Sequence, residues 1–199
     1  MHNFKKNPFT SKDLENQIFK SLDLSHIVLS EYSFINCTFE RCNFSDCSWE
    51  KSQFNACTFI DCNMSLVNLN GSKLLDVSFE ECKLVGIEFF KCDPSLLFSI
   101  KFKKCFLKYC NFSNISMKKT PFHGCTIHNA TFIGTDLMEA DFTNTDLLNT
   151  IFHSCILSKA NFSNAKNYCI DPQTNKIKKA KFSFPECIGL LKAFDIEII

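Results

Sequence analysis

Residues 34–64 read FINCTFERCNFSDCSWEKSQFNACTFIDCNM, with a large apolar side chain at every fifth position. The same spacing covers residues 14–89 and, after a break at residues 92–94, residues 97–162. All 30 of these central positions are apolar. A period of five fits neither the helical period nor the simple alternation of a long strand. We therefore expect each quintet to be a short extended segment that ends in a turn.

A second set of inward side chains stands two positions before each central one, because residues two apart in an extended segment point the same way. The other three positions of each quintet are mostly polar and face water. Ten of the 13 cysteines belong to the second set, which predicts buried, free thiols in preference to a disulfide framework. Cysteines five apart enter the interior from different sides, so a zinc site is disfavoured. Cys169 and Cys187 lie outside the repeat, and we expect them to be more reactive.

Residues 14–165 resemble the pentapeptide-repeat proteins. The pattern is clearest in Cys110-Asn111-Phe112-Ser113-Asn114 and Ala140-Asp141-Phe142-Thr143-Asn144. The resemblance implies an all-β fold, a right-handed quadrilateral parallel β-helix in which four quintets make one coil. Residues 14–162 would then form about 7.5 coils and a rod of about 36 Å at the spacing of neighbouring strands.

Stacking of central residues 20 apart predicts how the interior is filled. The centres from Phe102 to Phe162 alternate between phenylalanine and an aliphatic residue. We assume that the three-residue insertion near residues 92–94 preserves the order of the walls. Phenylalanine then occupies two opposite walls of the rod, and aliphatic side chains occupy the other two. One wall also collects the cysteines Cys42, Cys62, Cys82, Cys105 and Cys125.

Both open ends of such a rod need a cover. We expect residues 1–13 to cap the first coil. Residues 166–199 should form a turn, a capping helix from Phe184 to about Ala193 that opens with a capping box at residues 183–186, and a terminal strand from Asp195 to Ile199. The helix carries too many apolar side chains for one face, which predicts a homodimer through the C-terminal end. The predicted contact residues are Phe184, Ile188, Leu191 and Phe194.

Aromatic side chains in outward positions near the insertion mark a candidate docking patch. The charges change there, because residues 31–96 carry 10 acids and 5 bases whereas residues 97–130 carry 6 lysines and no acid. Exposed aromatic residues beside lysines are typical of a protein-binding site. In the alternative interpretation the rings pack beneath the bulged loop and the lysines form a solvated face. The patch comprises Phe90, Phe98, Phe106, Lys101, Lys103, Lys104, Lys118 and Lys119, with Tyr109 beside them.

The sequence contains no pattern that indicates catalysis. Its 5 glycines stand alone, so no phosphate-binding loop is present, and His123, Cys125 and His128 point in different directions. The straight walls of a repeat offer no evident cleft, and we expect a non-enzymatic protein without a cofactor or metal. The sequence also has no apolar run long enough for a signal peptide or a membrane span, which predicts a cytoplasmic protein without a membrane partner.

Two interpretations of function remain beside a protein-interaction or scaffold rod whose partner is unidentified. The resemblance to the quinolone-resistance members of the family implies modulation of DNA gyrase or topoisomerase IV by DNA mimicry, which needs acidic walls. The net charge of +1 argues against such mimicry and against direct binding of nucleic acid, and only residues 31–96 are acidic enough to serve. Weak binding of an anionic polymer by the lysine band at residues 101–119 is the second alternative.

Overall fold

The computed structural model describes residues 7–93, 99–194 and 196. The chain forms stacked coils of parallel strands, and each coil has four walls. Asp13 pairs with Ser33 and Ile18 pairs with Thr38, so the offset between neighbouring coils is 33 − 13 = 20. The fold is thus the predicted parallel β-helix of quintets, and each strand is one short extended segment.

The strands fall into four walls, which follow one another around each coil. Wall 1 contains β1 (Asp13–Glu15), β3 (Ser33–Ile35), β5 (Gln53–Asn55) and β7 (Lys73–Leu75). Wall 2 contains β2 (Ile18–Lys20), β4 (Thr38–Glu40), β6 (Thr58–Ile60), β8 (Val77–Glu80), β10 (Ile100–Lys103), β15 (Asn161–Phe162) and β17 (Lys181–Phe182). Wall 3 contains β9 (Lys83–Val85), β11 (Phe106–Lys108) and β12 (Thr126–His128), and wall 4 contains β13 (Thr131–Ile133), β14 (Ile151–His153) and β16 (Cys169–Ile170). Isolated parallel bridges continue these walls between the strands.

Each quintet ends at a corner whose residue adopts a positive φ angle. Asparagine, lysine and acidic residues hold most of these corners, as at Asn36 (φ 51°) and Asp61 (φ 51°). Gly86 (φ +69°) also holds a corner, and a Cβ atom there would lie 2.7 Å from Cδ2 of Leu66, whose exposed side chain would have to move. The corners turn the chain by one wall, so the central side chains of successive quintets enter the interior from four sides.

After the insertion, phenylalanine fills walls 2 and 4 as the sequence predicts. The rings of Phe122 and Phe142 stack on wall 2 with centroids 4.8 Å apart, and those of Phe112 and Phe132 stack on wall 4 at 4.7 Å. Rings of the two walls meet edge to face, a preferred arrangement of aromatic pairs. The wall 2 column contains nine stacked rings: Phe19, Phe39, Phe59, Phe79, Phe102, Phe122, Phe142, Phe162 and Phe182.

The insertion preserves the order of the walls. Phe102 pairs with Phe79, an offset of 102 − 79 = 23, which is one coil plus the three-residue insertion. Asp93 still follows the offset of the preceding coils, because its N–H donates to the carbonyl of Ser72 at 2.8 Å, and the new offset is in place at Ser99. The extra length therefore lies between Asp93 and Ser99, where residues 94–98, including Pro94, are outside the described chain.

Thiols and hydroxyls in the small inward positions share one hydrogen-bonding role. The thiol of Cys62 donates to the carbonyl of Phe39 at 3.4 Å, and the hydroxyl of Thr145 donates to the carbonyl of Phe122 at 2.9 Å. On the predicted cysteine column, the N–H of Cys42 also donates to Sγ of Cys62 at 3.4 Å. Eleven of the 13 cysteines are buried. The cysteines of the column therefore tie successive coils together.

The N-terminal end is covered by Phe9. Its ring lies 5.1 Å from that of Phe19 and 5.6 Å from that of Phe34, in both cases edge to face. Phe9 therefore packs over the interior at the first coil, whereas residues 1–6 lie outside the described chain.

The C-terminal end differs from the expected helix in three respects. The walls continue past residue 165, since β17 pairs with β15. The helix is a 3-10 helix and begins at Glu186, not Phe184, and the Phe184–Pro185 peptide bond that precedes it is cis. The capping box is absent, because the hydroxyl of Ser183 instead accepts a hydrogen bond from the N–H of Asn164 at 2.9 Å. Of the predicted terminal strand only Ile196 is described, and it is not in a strand.

Candidate interaction surfaces

Ionisable side chains do not converge on one site in the described part of the chain. No group of three or more His, Cys, Asp or Glu side chains there is placed to hold a metal ion. His123 lies outside wall 2 and His128 outside wall 3, with the thiol of Cys125 in the interior between them. The helices in the described ranges are too short or too polar to cross a membrane.

Burial has a strong effect on the thiols. It raises the pKa of Cys47 to about 12, from an ordinary value of 9.0. Burial likewise raises the pKa of Cys92 to about 12. A nucleophilic cysteine needs a thiolate, which these buried groups do not supply at neutral pH.

The lysines of the candidate patch are ion-paired with carboxylates of adjacent coils. Lys101 lies 2.6 Å from Asp76, and Lys103 lies 3.4 Å from Glu80. The excess of positive charge that the sequence shows at residues 97–130 is therefore largely balanced in space. The remaining pairs are Lys104 with Glu81 at 3.3 Å, Lys118 with Asp136 at 3.1 Å and Lys119 with Glu139 at 3.8 Å.

The aromatic members of the patch lie on another side of the rod. Phe106 begins β11 on wall 3, Tyr109 occupies the corner between walls 3 and 4, and Phe90 lies on wall 4. Lys101 and Lys103 lie on wall 2, which is opposite wall 4. The structure therefore separates the aromatic side chains from most of the lysines, and Phe98 is outside the described residues.

Three exposed aromatic rings and one leucine form what we call the aromatic surface: Leu66, Phe90, Phe106 and Tyr109. Their exposed fractions are 56%, 39%, 37% and 57%. The ammonium groups of Lys91 and Lys108 lie 5.8 and 4.9 Å from the rings of Phe90 and Tyr109, so two lysines stay close to this surface.

A groove of about 450 Å³ adjoins the aromatic surface along wall 4. Leu66 and Gly86 line one side of it, and the amide side chains of Asn68 and Asn70 line another. Glu88 and Lys91, which form an ion pair with each other, complete the lining. The groove therefore offers apolar, hydrogen-bonding and charged groups together, as protein-binding surfaces do.

A small polar cluster borders the aromatic surface on wall 3. Nε2 of His128 lies 3.0 Å from Oδ2 of Asp146, and the imidazole ring lies 6.4 Å from the ring of Phe106. Burial opposes ionisation of Asp146, but hydrogen bonds from Asn167 and His128 outweigh it and lower the pKa of this carboxyl. The ring of Phe106 lies edge to face with the imidazole of His128.

The C-terminal end exposes the apolar side chains that the sequence singles out for self-association. Phe184 is 79% exposed, Ile188 37%, Leu191 39% and Phe194 48%. Leu190 instead packs against the core of the last coil, where Tyr168 closes the interior over Phe162. One side of the helix therefore covers the rod, and the other side presents apolar surface to water.

A second group of lysines, on the last coil, escapes sequence reasoning. Lys176, Lys178, Lys179 and Lys181 are all exposed. The local composition could have revealed this group, since residues 159–192 hold 7 lysines and 2 acids, a net charge of 7 − 2 = +5. The repeat predicted from the sequence ends at residue 165, so it does not place these lysines on one coil.

Comparison with known proteins supports the fold. A family model described as "Pentapeptide repeat region" matches residues 32–112, and one described as "SV2A/B/C luminal domain" matches residues 88–152. No curated protein has a sequence that matches this chain.

Solved structures similar to this chain include two of QnrB1, described as a plasmid-mediated fluoroquinolone resistance protein. Both are trypsin-treated single-substitution variants. One is 15% identical with a TM-score of 0.71, and the match covers 94% of this chain and 100% of that one. The other is 17% identical with the same TM-score, and the match covers 94% and 97% of the two chains.

A structure of HetL, from the cyanobacterium Nostoc sp., is 17% identical with a TM-score of 0.44 over 85% of this chain and 86% of that one. The family-model match and the QnrB1 structures agree with the quintets that build the four walls. Residues 32–112 therefore match the pentapeptide-repeat family, and the chain has the fold of the QnrB1 structures.

Proposed function

We propose that this protein is a non-enzymatic rod that binds another protein through the aromatic surface. The observation that carries the proposal is the exposure of Phe90, Phe106 and Tyr109 beside the groove on wall 4. Elsewhere the repeat holds mostly small polar side chains at such outward positions. Large exposed aromatic residues gain binding free energy when a partner covers them, and they are enriched among the residues that dominate protein interfaces.

The charge distribution favours a partner whose binding surface carries both polar and apolar groups and little net charge. The wall 2 lysines are paired with their own carboxylates, so a partner of either sign would have to displace an existing ion pair. For the same reason, binding of an anionic polymer by the band at residues 101–119 has less free charge available than the sequence suggests. Among the residues that the structure describes, two lysines lie close to the rings of the aromatic surface, so we expect binding there to depend little on net charge.

Site-specific photo-crosslinking tests this proposal. A photoreactive amino acid is placed at Tyr109 and, as a matched control, at Asn149, which holds the same corner two coils later with a similar φ angle. We expect one crosslinked partner from the Tyr109 position and none from the Asn149 position. The Phe106→Ser variant should lose that product while keeping its melting temperature. Equal crosslinking from both positions would contradict the proposal.

A second candidate function is modulation of DNA gyrase or topoisomerase IV. The similarity to QnrB1, which is described as a fluoroquinolone resistance protein, supports it at the level of the fold. The test is a supercoiling assay with purified gyrase, with and without a fluoroquinolone. Protection of supercoiling by the protein would favour this function, and no effect at a tenfold excess over gyrase would exclude it.

For the assembly, we propose a homodimer through the C-terminal end. The exposed side chains of Ile188, Leu191 and Phe194 on the 3-10 helix support this, since burial of large apolar side chains is the main favourable contribution to association. Phe184 precedes the helix, and we leave it outside the proposed contact. An isologous contact about a two-fold axis is the simplest arrangement for two copies of one end. We also propose a cytoplasmic location, which the free thiols favour because a reducing compartment preserves them.

A further inference from the structure

The last coil carries a compact cluster of positive charge, which we call the terminal lysine cluster. Lys176 and Lys178 point outward on either side of Ile177 on wall 1, Lys179 occupies the next corner with φ 61°, and Lys181 begins β17 on wall 2. Residues two apart in an extended segment are separated by about 6.6 Å. The four ammonium groups therefore surround one corner of the rod.

The described residues provide no carboxylate partner for the charges of this cluster. Within the described ranges, none of the four lysines has a carboxylate within ion-pair distance, whereas Lys101, Lys103 and Lys104 in the middle of the rod each have one. The net charge of residues 159–192 is +5, so the rest of the chain carries 1 − 5 = −4. The overall charge of +1 conceals a basic end on an otherwise acidic rod.

An exposed aromatic ring adjoins the cluster. Phe184 follows Lys181 by three positions and is 79% exposed. Lysines that follow a phosphate backbone, together with an aromatic ring on which a base can stack, are the combination that binds single-stranded nucleic acid without sequence preference. The cluster contains lysine alone, which binds phosphates as a point charge.

We propose that the terminal lysine cluster and Phe184 bind single-stranded nucleic acid. The four lysines contact successive phosphates, and the ring of Phe184 stacks on a base. This site is separate from the aromatic surface, which lies on walls 3 and 4 in the middle of the rod.

The cluster also has a purely structural interpretation. β17 is the last strand of wall 2 and pairs on one side only, with β15. Charged side chains on such an edge, lysine above all, discourage pairing with the strands of another molecule. If the lysines serve only this purpose, the protein does not bind oligonucleotides, so a binding measurement separates the two interpretations.

Fluorescence anisotropy with a labelled 20-mer of thymidine nucleotides tests the proposal on the full chain. With four lysines engaged, the slope of log K against log salt should be about −3, and affinity should fall about 50-fold between 50 and 200 mM salt. The K178Q/K179Q/K181Q variant should lose at least tenfold in affinity at 50 mM salt. The matched control K101Q/K103Q/K104Q removes the same number of charges and should bind like the unmodified protein.

Further measurements isolate the aromatic ring and the chemistry of the ligand. F184A should weaken binding about tenfold, and a DNA duplex or poly-glutamate of equal length should bind at least tenfold more weakly than the single strand. L191Q, which alters the proposed dimer contact and no lysine, should bind normally. Absence of binding at 50 mM salt, equal losses in the two lysine triple variants, unimpaired binding by F184A or equal affinity for poly-glutamate would each overturn the proposal.

Discussion

The rings of Phe79 and Phe102 stack with centroids 5.4 Å apart and planes inclined by 14°, although their offset along the chain is 102 − 79 = 23 and not 20. The stack is equivalent to the pair Phe59 and Phe79, whose centroids are 5.1 Å apart. The extra length between Asp93 and Ser99 is therefore accommodated without a change in the interior. Packing of aromatic rings in the interior determines the register, and the insertion adapts to it.

This relationship predicts a dependence of stability on loop length. Deleting residues 94–96 restores the offset of 20 and keeps Leu97 in its central position, so the melting temperature should stay within about 3 °C of that of the unmodified protein. Deleting only residues 95 and 96 leaves one extra residue and should be tolerated similarly, because the connection is still longer than a regular one. Deleting residues 94–97 makes the connection one residue too short and should lower the melting temperature by about 8 °C or more. Thermal melts of the three variants that do not differ would contradict this account of register.

Most of the fold could be predicted from the sequence because the repeat is a local pattern with a single period. The stacking of Phe122 on Phe142 follows from their spacing of 20 once four quintets make a coil. Ion pairs are harder to predict from the sequence, because Lys101 pairs with Asp76 on the preceding coil and not with a neighbour in sequence. The C-terminal helix departs from the repeat. The helix starts at Glu186, and Ser183 before it is hydrogen-bonded to Asn164. The five-residue period does not predict this contact.

The candidate patch shows the same limit of sequence reasoning. Neighbours in sequence such as Lys103 and Phe106 belong to different walls, because one corner lies between them. A linear cluster of aromatic residues and lysines is therefore divided between surfaces that face different directions. To predict that the aromatic surface and the paired lysines lie on different walls, one must know the wall of each quintet. That assignment requires the register of the chain across the insertion.

Core packing predicts very different costs for two buried side chains. Phe132 is fully buried and stacks on Phe112 at 4.7 Å and on Phe152 at 5.1 Å, so Phe132→Ala should lower the free energy of unfolding by about 3 to 5 kcal/mol. Cys62→Ala removes three weak sulfur hydrogen bonds from a position where Ala130 and Ala140 fit on other coils, and should cost about 1 kcal/mol. Denaturant unfolding of both variants measures the difference, and equal effects would refute the packing assigned to the interior.

The buried thiols predict a loss of stability at alkaline pH. Burial raises the pKa of Cys47 and Cys110 to about 12, from 9.0, so the folded state retains protons that the unfolded state releases. Their contribution to stability is complete below about pH 9 and is lost progressively as the pH rises from 9 toward 12. Melting temperatures should therefore fall between pH 8.5 and pH 10.5. The Cys47→Ala variant should show a smaller fall, and an identical fall would mean that Cys47 does not contribute.

Thiol reactivity provides an independent check of burial. Cys169 is exposed and Cys187 is partly exposed, whereas the other 11 cysteines are buried. A thiol reagent at pH 8 should modify these two residues in the folded protein and all 13 after unfolding in denaturant. Mass spectrometry locates the modified residues. Rapid labelling of Cys62 or Cys105 before unfolding, or several disulfide-bridged pairs in protein purified without reductant, would show that the thiols are not held as the structure has them.

Self-association at the C-terminal end is the remaining prediction. Leu191 and Phe194 are 39% and 48% exposed on the outer side of the 3-10 helix, and a second copy of the same end would bury them. Leu191→Glu places a charge in this contact, which costs several kcal/mol without a partner for the carboxylate, so the variant should be a folded monomer. Leu66→Glu, at a corner in the middle of the rod, is the matched control and should remain a dimer. Light scattering at tens of micromolar measures the mass, and circular dichroism confirms folding. A monomeric unmodified protein at that concentration would exclude the dimer, and it would leave the exposed side of the helix without a second copy to cover it.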